Sequence, residues 1–128
     1  MAGVYKMDGS LQVLVVEDEP MIAWMLEDAI TSLGCDVVGP FPSVREALNA
    51  LENERPKIAL LDVNLVDGEV YPLADRLHEL SVPLIFHTAN VRGDDLATRY
   101  MNSQTVMKPS DPTMLESAIN AAKAQLSA

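Results

Sequence analysis

Cysteine appears once in the 128 residues, as Cys35, which excludes an internal disulfide framework and a cysteine-based zinc cluster. No apolar run approaches the roughly 20 residues of a membrane span. The opening MAGVYKMDGS also lacks the apolar stretch behind a basic start that a secretory signal needs. Basic residues are scarce: 9 Lys and Arg stand against 19 Asp and Glu. The resulting net charge of −10 would be repelled by nucleic acid and by anionic membrane, so neither is expected as a partner. Aromatics make up 5% of the chain against 48% hydrophobic residues overall, so the core must be built from Leu, Val, Ile, Ala and Met. There is no repeat, low-complexity tract or internal linker. These exclusions leave a single domain, residues 11–128, behind a flexible leader at 1–10, with cytoplasmic residence expected by elimination.

What is present alternates between two periods. LQVLVV (11–16), DVVGP (36–40), KIALLD (57–62), VPLIFH (82–87) and TVMK (105–108) read as strands. Between them lie helical patterns. After Pro20, Met21, Ile22, Met25, Leu26, Ala29, Ile30 and Leu33 form one stripe that stops at Gly34. Ser43 and Glu46 make a capping box for a helix carrying Val44, Ala47, Leu48 and Leu51. Val70, Leu73, Leu77 and Leu80 fall in phase on a third helix. Residues 94–102 give a weak one, with Leu96, Ala97, Tyr100 and Met101 inward. Asp111-Pro112 opens a last helix with Leu115, Ala118, Ile119, Ala122 and Leu126 inward. Most of the 7 methionines fall at core spacing. Strands alternating with helices predict a doubly wound, flavodoxin-like α/β domain. Its five-stranded parallel sheet has the order 2-1-3-4-5, with helices on both faces.

That topology brings distant residues to one rim. In open parallel sheets the functional crevice lies beyond the carboxyl ends of the strands, where strand order reverses. Strand one ends at Glu17-Asp18 and strand three at Asp62. Three carboxylates in one crevice repel each other unless something positive compensates, and Mg²⁺ suits hard oxygen ligands. Lys108 ends strand five and offers a second positive group, while Thr88 ends strand four and offers a hydroxyl. A lone aspartate after a strand is ordinarily a turn former. Four polar groups at matching strand ends are harder to dismiss.

The residues at those strand ends resemble the receiver domain of two-component response regulators, over 11–127. VLVVEDE is similar to the family's acidic motif, LLDVNLVDG to its phosphoacceptor segment, PLIFHTAN to its Thr/Ser-Ala segment, and VMKP to its Lys-Pro segment. The resemblance implies that Asp62 accepts a phosphoryl group from a histidine kinase or a histidine phosphotransfer protein. It further implies Asp18 as a direct Mg²⁺ ligand, Glu17 acting through water, and Asn64 offering its backbone carbonyl. Thr88, the N–H of Ala89 and Lys108 would contact the phosphoryl oxygens, and the Lys108–Pro109 peptide would be cis. No catalysis is implied beyond slow Mg²⁺-assisted self-phosphorylation and autodephosphorylation. Nothing that reads as an output module follows the domain. The resemblance thus implies a stand-alone receiver signalling to a downstream protein by contact, with a homodimer open.

The pattern departs from the family's in three further places. Glu17 stands where Asp is commoner, VNLVDG lacks a Met-Pro, and Thr105 replaces the aromatic three residues before the lysine. The last departure leaves a second reading open, a non-switching pseudo-receiver acting as a constitutive adaptor. Tyr100 is a candidate substitute for that aromatic and for a place on a partner surface, with a core tyrosine as the plainer reading. Trp24 lies about 150° from the centre of its helix's stripe, at about 100° per residue, and is a candidate for a partner surface. His87 alternates away from Thr88 and reads as structural. A haloacid-dehalogenase-type phosphatase would need a second acid at position 64, where Asn64 stands, and a flavodoxin-type cofactor domain would need a phosphate loop where three acids stand.

Overall fold

Strands buried on both faces need no alternation, and IALLD and LIFHT are buried at every position. They form the centre of the sheet in a computed structural model that describes residues 11–65, 67–89, 96 and 98–127. The leader expected over 1–10 lies outside the described residues. The main sheet contains β1 (Gln12–Val16), β2 (Asp36–Phe41), β3 (Ile58–Asp62), β6 (Leu84–Thr88) and β7 (Gln104–Met107). Every pairing in it is parallel, and the order β2-β1-β3-β6-β7 is the expected 2-1-3-4-5. A two-residue antiparallel ribbon follows β3: β4 (Asn64–Leu65) pairs with β5 (Gly68–Glu69). So short a ribbon leaves no alternating signal in the amino-acid sequence.

The described helices are α1 (Pro20–Ser32), α2 (Val44–Ala50), α3 (Tyr71–Glu79) and α4 (Pro112–Ser127). Alternation along the strands divides the core in two. Leu14, Val16, Ala59, Leu61 and Phe86 face α2, α3 and the turn at Leu96 and Tyr100. Val13, Val15, Ile58, Leu60 and Ile85 face α1 and α4. Each fully buried side chain of this size stabilises the fold by roughly 1.5–3 kcal/mol relative to exposure. None of the described helices is long and apolar enough to cross a membrane.

Local chemistry sets the boundaries. Pro20 opens α1, and Gly34 follows it at φ +83, a left-handed conformation that glycine adopts at no steric cost. At α2, Ser43 Oγ accepts the Glu46 N–H at 3.2 Å and donates to Glu46 Oε2 at 3.0 Å. The two first-turn N–H groups left over, of Val44 and Arg45, donate to Asp67 at 2.9 and 3.1 Å. The ribbon after β3 is thereby tied to the start of α2. Gly39, at φ +107, accompanies the register shift between β1 and β2. A Cβ there would lie 2.9 Å from the Val15 carbonyl oxygen.

Several inward assignments are corrected. Met21 and Met25 are 76% and 53% exposed, because α1 is covered on one side only and Ala23, Leu26 and Ile30 fill that side. Met101 is 76% exposed: the chain turns after Tyr100, with Asn102 at φ 71. Leu126 and Met114 also face outward, so most of the described methionines are on the surface rather than in the core. Ala97 lies outside the described residues.

Candidate functional site

Parallel pairing sends the carboxyl ends of β1, β3, β6 and β7 to the same rim. The first polar residues there are Glu17, Asp62, Thr88 and Lys108. Glu17 and Asp62 are almost fully buried, Thr88 is buried, and Asp18 is half-buried beside them. One oxygen from each of Glu17, Asp18 and Asp62 falls within 4.8 Å of the others. The sequence-expected acidic trio is therefore assembled, although its members come from two strands separated by α1, β2 and α2.

Lys108 is the counterweight. Its Nζ lies 3.0 Å from Glu17 Oε1 and 3.3 Å from Asp62 Oδ2, with only 13% of the side chain exposed. Its backbone N–H donates to the Thr88 carbonyl at 2.8 Å, which fixes where the side chain starts. The Lys108–Pro109 peptide is cis, as expected from the motif. Burial by itself lowers the lysine's pKa, but the Glu17 and Asp62 carboxylates outweigh it and raise the net value.

Glu17 shows the same competition with the opposite sign. Burial pushes its pKa up, yet the neighbouring His87 ring, the Lys108 ammonium and the Glu19 amide bring it down from 4.5 to about 2. The Glu19 N–H donates to Oε2 at 3.2 Å. His87 Nδ1 stands 3.9 Å from Oε1, an electrostatic contact rather than a hydrogen bond, and its Nε2 lies 2.9 Å from Ser110 Oγ. Sequence alternation placed His87 on the opposite face from Thr88, and it lies there. The same alternation puts Glu17, after Val13 and Val15, on the face of Ile85 and His87. That signal could have linked the two residues.

The remaining candidates lie apart from the trio or beside it. Asn64 occupies β4, two residues beyond Asp62, and Ala89 is exposed directly after Thr88. Trp24 is 65% exposed on α1, in keeping with its angle from the apolar stripe. Tyr100 is 2% exposed, so it is not a surface residue. Its hydroxyl donates to Asp75 Oδ1 at 2.6 Å, and its ring packs 5.5 Å from that of Phe86. Arg99 holds the other Asp75 oxygen at 2.9 Å and lies over the Tyr71 ring.

The sequence of residues 13–120 matches the family model described as response regulator receiver domain. The chain belongs to the response-regulator receiver family. It is 33% identical over 118 residues to the phyllosphere-induced regulator PhyR of Methylorubrum extorquens, covering 90% of this chain and 44% of that protein. The chain thus spans less than half the length of that relative. Among solved structures, the receiver domain of Erythrobacter litoralis PhyR is 34% identical with a TM-score of 0.80, covering 91% of this chain and 92% of that one. SdrG from Sphingomonas melonis is 33% identical with a TM-score of 0.75, covering 89% and 97%. Receivers are the signal-accepting modules of two-component systems, and they generally bind Mg²⁺ in an acidic pocket. The donor set of this receiver fits such an ion: three hard carboxylates converge, and the single positive charge of Lys108 offsets only part of theirs.

Proposed function

We propose that this receiver accepts a phosphoryl group on Asp62 from the phosphohistidine of a histidine kinase or a histidine phosphotransfer protein. The observation that carries the reading is the convergence of Glu17, Asp18 and Asp62 within 4.8 Å, with Lys108 3.3 Å from the acceptor carboxylate. An Asp62 oxygen attacks phosphorus, the P–N bond to the donor imidazole breaks, and the leaving nitrogen takes a proton. Asp18, Asp62 and the carbonyl of Asn64 would hold Mg²⁺, with Glu17 acting through water, and the ion would supply positive charge to the transferring group. Lys108 serves the same end from the chain itself. The Thr88 hydroxyl and the Ala89 N–H donate to phosphoryl oxygens. Hydrolysis of the acyl phosphate then returns the carboxylate.

The phosphorylated rim signals by contact to a downstream protein, in the cytoplasm. Trp24 on α1 forms part of the partner surface. Thr105, exposed on β7, favours a second reading as a constitutive adaptor, since no aromatic there can turn inward when Thr88 moves. Acetyl phosphate with Mg²⁺, followed by intact mass, separates the two. An Mg²⁺-dependent adduct of one phosphoryl group that is absent from Asp62→Asn supports the acceptor. A wild type that never gains mass leaves the adaptor.

A further inference from the structure

The phosphoacceptor reading names Asn64 but not what holds its backbone at the rim. The segment that carries it is a ribbon of two residues a side, too short to be stable by itself. Val63 and Leu65 are buried in the core on one face of that ribbon. Their burial sets its depth, but the hydrophobic effect is non-directional. The Val70 N–H donates to the Val63 carbonyl at 3.2 Å. Bonded and unbonded pairs alternate along an antiparallel ladder, so the next pair, Asn64 and Glu69, exchanges no backbone bond. The Asn64 carbonyl is therefore not engaged by β5.

Directional bonds reach the ribbon through Asp67, which lies in the turn between β4 and β5. Its two carboxylate oxygens accept the Val44 and Arg45 N–H groups at 2.9 and 3.1 Å. Those amides begin α2, directly after β2, and the Phe41 carbonyl at the end of β2 accepts the Glu17 N–H at 2.9 Å. A closed circuit thus runs from Glu17 through Phe41, Val44 and Asp67 to Asn64 and Asp62. The parallel pairing of β1 with β3, Val16 opposite Leu61, completes it. Asp67 is the side-chain link in that circuit.

We infer that Asp67 is a positioning residue: by clamping the ribbon to the start of α2 it fixes the Asn64 carbonyl relative to Asp18 and Asp62, and so sets how tightly the rim holds Mg²⁺. The inference rests on the phosphoacceptor reading above. Without the clamp the ribbon keeps its apolar anchors at Val63 and Leu65, so the fold persists, but the carbonyl between them loses its fixed orientation. A ligand atom that must be ordered during binding gives a weaker complex than one already held in place. Glu17 and Asp62 are held by β1 and β3 themselves and keep their places. The loss is therefore in affinity for the ion, and not in phosphoryl transfer once the ion is bound.

The test titrates the full chain with MgCl₂ by isothermal titration calorimetry, without phosphodonor, and then follows the Asp62 adduct with acetyl phosphate by intact mass. Asp67→Ala should raise the Mg²⁺ Kd about tenfold, the loss typical of removing a group that orients a metal ligand. At saturating Mg²⁺ it should form the adduct at the wild-type rate. Asp67→Asn keeps one acceptor oxygen and should fall between the two. Both variants remove a charge, so the titrations are repeated at about 1 M NaCl, where the screening length is about 3 Å and the difference should persist. Val44→Pro removes one donor with no change in charge. Proline suits a first helical position, and Ser43 before it is extended at φ −142. Val44→Pro should weaken Mg²⁺ binding too, and add little when combined with Asp67→Ala.

Three results in protein that forms the adduct would overturn the clamp and leave the phosphoacceptor intact. They are an Asp67→Ala Kd within about twofold of wild type, a difference that vanishes at high salt, and a Val44→Pro that binds Mg²⁺ like wild type. A variant rate that stays low at saturating Mg²⁺ overturns it as well. No adduct on the wild type overturns the phosphoacceptor reading and the clamp with it. Val44→Pro and Asp67→Asn decide the matter even if Asp67→Ala fails to fold.

Discussion

Replacing Lys108 by Met keeps much of the side chain's length and removes its charge, leaving the Glu17 and Asp62 carboxylates close together and buried. The cost can be worked from Glu17. Its pKa falls from 4.5 to about 2 in the folded protein. At about 1.4 kcal/mol per unit this gives an upper bound of roughly 3 kcal/mol of stabilisation at neutral pH. His87 and the Glu19 amide share that amount with Lys108, so the lysine accounts for about 1–2 kcal/mol of it. Repulsion between the Glu17 and Asp62 carboxylates, no longer bridged by the ammonium, adds to this. Removing one partner of a fully buried ion pair costs about 3–5 kcal/mol, which bounds the total from above. We therefore expect Lys108→Met to lose about 2–3 kcal/mol. At the midpoint that corresponds to a fall of about 7–11 °C in Tm for a chain of this length.

Urea unfolding followed by far-UV circular dichroism, in chelator and at low salt, measures this loss. Glu17's folded pKa is depressed, so its contribution is fully present above pH 4.5 and is lost as pH falls toward 2. The gap between wild type and variant should accordingly narrow across that window. Mg²⁺ should narrow it as well at pH 7, by supplying the missing charge. A variant within about 0.5 kcal/mol of wild type at pH 7 in chelator, or a gap that widens as pH falls, would refute the reasoning.

Other perturbations test separate parts of the structure. Tyr100→Phe removes the 2.6 Å bond to Asp75 while Arg99 still holds the carboxylate, and should cost about 1 kcal/mol in urea unfolding. Gly39→Ala places a Cβ 2.8–2.9 Å from backbone atoms at φ +107, and should destabilise by about 1–3 kcal/mol in thermal unfolding. Trp24→Ala should leave stability within about 0.5 kcal/mol, because the side chain is already 65% exposed. The same variant should slow phosphotransfer from a phosphohistidine donor, and an unchanged rate would remove Trp24 from the partner surface.

Much of the site was legible before the fold because burial on both faces leaves a mark in sequence. KIALLD and VPLIFH are continuous apolar runs, and such runs in alternation with helices imply parallel strands whose carboxyl ends share a rim. Glu17, Asp18, Asp62, Thr88 and Lys108 then follow from where each run stops. Periodicity also placed Trp24 outward on α1 and His87 away from Thr88. It misjudged Met21, Met25, Met101 and Leu126, since an apolar stripe says which side of a helix can be buried but not how much of that side the neighbours cover.

The amino-acid sequence by itself determined the five strands of the main sheet, their order and the identity of the rim residues, because continuous apolar runs mark buried strands, a period of 3.6 marks the helices between them, and right-handed crossovers restrict how such strands can neighbour one another. Only the tertiary structure decided which polar atoms meet. Asp67 caps a helix that begins 23 residues earlier, Asp75 holds a tyrosine 25 residues later, and Lys108 bridges two carboxylates from different strands. Such partners have no period to read. A carboxylate carries the same charge wherever it stands, and its partner is whichever donor the packed strands and loops bring within about 3 Å of it.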